Sequence, residues 1–227
     1  MTNQTRLLTL AVLAAATSAL GTPTGLNNIP TAETIDHRTV AAQFFTSFGG
    51  SNQFATSGPG KTSQWAGFKT GWDFKPLHLE WGLDSPLGTG CSGPLLFQTK
   101  ARIQPWEDGM FALGIAGVAL TDTRRAGDPF TYAMLYHDFH VVRLHAGYGL
   151  QTHGNSYLLG IDRTWKLFDR NLNLNADLVQ SRNQHGHIAA LGAKYFLSKH
   201  IVLESWMNFP DRDRTSWIAK INYVFTF

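Results

Sequence analysis

The chain has 227 residues, enough for one sizeable domain or two small ones. Its 19 Lys and Arg stand against 16 Asp and Glu, a net charge of +3, and the basic residues are scattered along the chain, which excludes the concentrated basic face of a nucleic-acid binder. Beyond the opening segment no apolar run approaches the roughly 20 residues of a membrane-spanning helix, so a helical membrane protein is excluded as well. A membrane β-barrel is not, because its strands show lipid only at every second side chain and keep an ordinary hydrophobic fraction, here 43%.

In chain order, Met1–Gly21 carries Arg6, then the apolar stretch Leu7–Ala16, then small residues at Thr17, Ala19 and Gly21. This is the layout of a secretory signal peptide, with cleavage expected after Ala19 or Gly21. Its apolar centre of about ten residues is too short to span a bilayer as a helix. Cys91 is the only cysteine, so the exported fold has to hold without an internal disulfide. Residues 22–37 are punctuated by Pro and Gly and are expected to form an extended periplasmic lead-in that caps a lumen or packs at its rim.

From residue 38 to residue 227 short two-periodic segments alternate with turn residues, and no helical period intervenes. Strands are expected near 38–48, 63–71, 77–84, 94–104, 110–120, 130–137, 139–148, 156–165, 171–181, 187–196, 201–209 and 215–227. The clearest is Asn171–Ser181, where Leu172, Leu174, Ala176 and Leu178 share one face and Asn171, Asn173, Asn175 and Asp177 the other. Leu77, Leu79, Trp81 and Leu83 oppose His78, Glu80, Gly82 and Asp84 in the same way. Met110–Leu120 is weaker, with small and apolar residues on both faces, and Asp162 beside Arg163 puts opposite charges on opposite faces. Merging or losing one hairpin would give ten strands.

The expected connections fall into a longer group (49–62, 85–93, 121–129, 149–155, 182–186 and 210–214) and a shorter group (73–76, 105–109, 138, 166–170 and 197–200), which alternate. Bacterial outer-membrane barrels pair long outer loops with short periplasmic turns, so this places both chain ends on the periplasmic side. Trp72, Trp106 and Trp165 then gather at periplasmic strand ends, where an aromatic girdle belongs. The fold class expected is an all-β, transmembrane, antiparallel up-and-down barrel of about twelve strands.

At the C-terminus Trp217, Ala219, Ile221, Tyr223, Phe225 and Phe227 form an unbroken apolar face opposite Ser216, Lys220, Asn222 and Thr226, with Ile218 and Val224 as exceptions on the polar side. Here the chain resembles bacterial outer-membrane β-barrel proteins, whose last strand ends in an aromatic residue. The resemblance implies an outer-membrane location and Tyr223, Phe225 and Phe227 as a signal read by the barrel-assembly machinery. A shorter similarity lies in Thr22-Pro-Thr-Gly-Leu-Asn-Asn-Ile-Pro-Thr-Ala32, which resembles the Thr-Gly-Leu-x-Asn-x-Pro-Thr-Ala opening of YjbH-type outer-membrane proteins linked to exopolysaccharide production.

If the polar faces point inward, the lumen collects His78, Glu80, Asp84, Lys100, Arg102, Arg143, His145, Asn173, Asn175, Asp177, Lys194, Glu204 and Lys220, expected to contact solute. Mixed charge of this kind serves either a hydrophilic channel with a transverse field or a paired network that fills a narrow barrel. The function expected is a porin-like channel for a small polar solute or glycan, or an export-associated pore. The alternative is a non-conducting structural or exopolysaccharide-assembly barrel.

A lipid hydrolase is the third reading. His153-Gly-Asn-Ser156 is its nearest fragment, but the spacing puts the pair on opposite strand faces, and no catalytic residue is expected. His185 and His187 flank Gly186 without a carboxylate or cysteine at ligand spacing, so neither metal nor cofactor is expected. Besides assembly machinery and solute, the partners expected are outer-membrane lipid and lipopolysaccharide, the latter through outward Arg124, Arg125, Arg212 and Arg214. No nucleic-acid partner is expected.

Overall fold

The computed structural model describes residues 25–49, 63–87, 94–121, 128–152, 154–181 and 186–227. The expected signal peptide, Cys91, His153, His185, Arg124 and Arg125 lie outside the described residues. Twelve strands follow in order: β1 (Thr39–Phe48), β2 (Ser63–Phe74), β3 (Leu77–Leu87), β4 (Leu96–Trp106), β5 (Gly109–Ala119), β6 (Phe130–Asp138), β7 (Arg143–Gln151), β8 (Gly154–Leu167), β9 (Arg170–Ser181), β10 (His187–Phe196), β11 (Ile201–Pro210) and β12 (Ser216–Thr226). Each pairs antiparallel with its sequence neighbours, and β12 returns to β1 to close the barrel. Thr39 pairs with Thr226, and Phe227 N donates to the Arg38 carbonyl, so the chain enters β1 and leaves β12 at one rim, here the proximal rim. Closure leaves no sheet edge, which is how a chain can satisfy its backbone in an apolar surround.

Why these residues form this wall follows from period two. Along β8, Tyr157, Leu159 and Ile161 point outward and are half exposed, while Leu158 and Asp162 are buried within. The same outward row continues through Leu113, Leu135, Leu174 and Leu191, all exposed. Strands run from nine residues in β6 to 14 in β8. At about 3.3 Å per residue and a tilt near 40°, ten residues rise about 25 Å, the height of an outer-membrane apolar band. Aromatic rings meet at both rims: Trp72 lies 5.9 Å from Phe227 at the proximal one, and Phe48 stacks 5.1 Å from Trp217 at the distal one.

Two expectations of the sequence are corrected. The seventh strand begins at Arg143 rather than 139, because the Asp138 carboxylate accepts the His140 N–H at 2.7 Å and Phe139 N donates to the Val142 carbonyl, closing a turn there. The longer loop expected at 149–155 is a tight hairpin: β7 extends to Gln151, which pairs with Gly154 across only two intervening residues. Strand count and order are as expected.

The apolar core lies inside the barrel and is built around residues 25–36. Leu26, Ile29 and Ala32 pack with Ala112, Tyr132, Met134, Tyr136 and Leu158. Ile35 packs with Ala41, Val202 and Val224. Residues 25–36 of the expected lead-in thus lie within the barrel.

Candidate functional site

The register sends every lumen residue expected from the sequence inward. It also sets acids opposite bases on adjacent strands. Glu80 pairs with Lys100 in register, with carboxylate and ammonium 3.8 Å apart. Glu204 sits between Lys194 and Lys220, at 3.6 and 3.5 Å, and accepts Asn222 Nδ2 at 2.6 Å. Asp84 accepts Gln43 Nε2 at 2.5 Å and Gln98 Nε2 at 2.6 Å. Near the proximal rim His78 Nδ1 lies 2.6 Å from Asp73 Oδ1. Buried charges persist only when paired and hydrogen-bonded, and this wall meets that condition by cross-strand placement.

On the opposite wall Asp162 gathers three partners. Its Oδ1 lies 2.9 Å from His145 Nε2, and its Oδ2 accepts from the Arg143 guanidinium and the Asn173 amide. Arg143 reaches further, donating through Nη1 to Glu33 Oε1 at 3.2 Å. Asn175 Nδ2 donates to Asn173 Oδ1 at 3.0 Å, extending the network along β9.

Glu33 belongs to the segment inside the barrel, and the wall binds the rest of that segment mainly through its backbone, with Asn28 adding its side chain. Asp177 Oδ2 accepts the N–H groups of Asn27 and Asn28 at 2.7 and 2.8 Å. Asn28 Nδ2 donates to Asn208 Oδ1 at 2.8 Å. Lys100 Nζ donates to the Thr31 carbonyl at 3.1 Å, Lys194 Nζ to the Gly25 carbonyl, and Glu80 Oε2 accepts Ile35 N–H at 2.9 Å. Leu26 N–H bonds the Ile29 carbonyl at 3.0 Å, so the segment turns inside the barrel rather than passing straight through.

Small residues in the wall make room for it. A Cβ at Gly71 would overlap the Ile35 carbonyl, and one at Gly160 would overlap Leu26 and Ile29. At the proximal end burial raises the Asp36 carboxyl above its ordinary value, opposed by the charge of Arg102.

The expected site residues therefore divide by what they touch. Glu80, Lys100, Arg143, Asp177 and Lys194 bond the segment, while His78, Asp84, Arg102, His145, Asn173, Asn175, Glu204 and Lys220 contact wall neighbours. Beyond the turn Leu26–Ile29 a cavity of about 230 Å³ remains toward the distal rim, lined among others by Lys69, Gln98, Gln151, Ser156, Trp206 and Lys220. Sequence reasoning missed Lys69 and Asp162. Both were findable: Lys69 alternates with the outward Phe68 and Thr70, and Asp162 lies in step with Leu158 and Gly160 against the outward Tyr157, Leu159 and Ile161.

Tyr223, Phe225 and Phe227 lie on the outward, exposed side. Ser156 lines the interior cavity, so it is not the membrane-facing serine of a lipid hydrolase. His187 Nδ1 stands 3.6 Å from Asp211 Oδ2, and no group of potential metal ligands occurs among the described residues.

No protein-family profile matches the chain, and no curated protein sequence does. Solved structures do match in fold. The KdgM porin superposes with a TM-score of 0.57 at 9% identity, over 82% of this chain and 99% of its own. An outer-membrane channel from Pseudomonas putida F1 superposes with a TM-score of 0.58 at 10% identity, over 89% and 100%. The NanC porin gives 0.52 at 9% identity, over 80% and 98%. At these identities the likeness is one of fold.

Proposed function

We propose that this chain is a porin-like channel of the bacterial outer membrane that admits small polar solutes or glycan units. The observation carrying the reading is the division of the wall: an outward row of exposed Leu side chains and an inward row of paired charges facing residual interior space. A barrel built only for stability has no need of Lys69, Lys220 and Gln98 beside an unfilled cavity; a path for polar solute does. Within this reading the solute meets the cavity-facing groups, while residues bound to Gly25–Asp36 set how far the path is open. Tyr223, Phe225 and Phe227 serve recognition by the assembly machinery. Exposed Arg212 and Arg214 meet lipopolysaccharide.

A second reading draws on the segment itself. Leu26, Ile29 and Ile35 are buried against two apolar clusters, each contributing about 1.5–3 kcal/mol, as befits a closed barrel serving envelope or exopolysaccharide assembly. Planar-bilayer recordings separate the two. The channel reading expects ion-selective steps from the exported chain, altered in selectivity by Arg102→Glu, and larger steps once residues 25–36 are removed. Silence from the exported chain at every voltage transfers the case to the closed barrel.

A further inference from the structure

The cavity between the internal turn and the distal rim has two unlike sides. On one stand Lys69 and Lys220, with Trp206 and Asn27; on the other stand Tyr132, Leu158 and Val179. We propose that this cavity is a binding site for a small organic anion, its carboxylate held on the lysine and indole side and its apolar body against Tyr132 and Leu158. The inference rests on the channel reading for how such a ligand reaches the interior.

Three features point to an anion rather than to water-filled space. First, Trp206 Nε1 and Asn27 Nδ2 are buried hydrogen-bond donors with no acceptor. Buried donors without partners are costly and rare, and both of these belong to residues that line the cavity. Second, Lys69 forms no ion pair among the described residues, and the two acids whose charge it feels are already engaged, Asp84 by Gln43 and Gln98 and Glu204 by Asn222. Third, the acids nearest the cavity are already engaged. Glu80, itself part of the cavity lining, accepts from Ile35 N–H and faces Lys100, which offsets its charge, and Glu204 is shared by Lys194, Lys220 and Asn222.

The unmet capacity is therefore for negative charge and for an oxygen acceptor. The opposite wall decides the rest of the ligand. Tyr132 and Leu158 belong to the apolar cluster and offer no charge, so they favour a flat or hydrocarbon body over a second ionic group. A volume near 230 Å³ suits a molecule of one ring rather than a polymer.

The probe is benzoate, with benzamide as its uncharged counterpart of the same shape, titrated calorimetrically into the full exported chain folded in detergent micelles. Benzoate should bind at least about tenfold more tightly than benzamide, since the charge-assisted contacts are lost in the amide. Lys69→Met should weaken benzoate binding by about tenfold or more. Trp206→Phe, which keeps the ring packing and removes only the N–H donor, should weaken it about fivefold and guards against a folding defect in the lysine variant. Equal affinity for benzoate and benzamide, no benzoate binding at millimolar concentration, or benzoate binding indifferent to Trp206→Phe overturns the proposal. The outcome is separable from channel function: benzoate binding by a barrel that conducts nothing sinks only the channel, and conductance without benzoate binding sinks only this site.

Discussion

Asp162 is nearly inaccessible, at 3% exposure, and accepts from Arg143 and Asn173 while contacting His145. Removing one member of a buried charged network leaves the others desolvated without compensation, which costs about 3–5 kcal/mol. Asp162→Ala is therefore expected to lower unfolding stability by about 3 kcal/mol or more, read from urea titration of the folded barrel in micelles, with Asp162→Asn intermediate because it keeps one acceptor. In the sequence this position was ambiguous, since Arg163 beside it carries equal claim to a polar face. The structure resolves the ambiguity through reach. Arg163 projects outward, but near the proximal rim its long side chain comes within 4.0 Å of Asp138, so a charge on the apolar face does not have to sit in hydrocarbon. Residue alternation alone carries no information about depth, and depth is what made Arg163 permissible.

Among the elements, the internal segment explains the places where alternation failed. β5 is apolar on both faces because Ala112 on its inner side touches the cluster around Leu26 and Ile29. Val224, an exception on the inner face of β12, packs with Ile35. Apolar residues on a supposedly watery face were thus the signal that something apolar lay inside, and Leu26, Ile29 and Ile35 were its visible counterpart in the chain. What could not be read was the hydrogen bonding, because Asp177 and Lys194 bind backbone groups, which every residue has. That bonding predicts a local effect. Asp177→Leu strips the acceptor from two N–H groups, so hydrogen exchange at Asn27 and Asn28 should accelerate by roughly ten- to a hundredfold. Exchange in β5 and β8 should stay as slow as before. Unchanged exchange at Asn27 and Asn28 would show that the segment is held by its apolar contacts alone.

For the molecule as a whole, strand number, order and face were legible because one physical contrast is written twelve times, and each repetition corrects errors in the others. Tight connections were less legible: residues 149–155 contain Gly and polar side chains suited equally to a loop or to a twisted hairpin, and pairing from Gln151 to Gly154 decided it. The proposed channel, the anion site and the role of the segment all depend on the wall separating two solvents. Site-directed fluorescence in bilayers containing spin-labelled lipid tests that separation most directly, with one cysteine at a time introduced into a Cys91→Ser chain. Labels at Leu159, Leu174 and Leu191 should be quenched by the lipid probe, and labels at Ser156 and Ile188, which face inward, should be spared. Equal quenching of both sets, or of neither, would contradict the account.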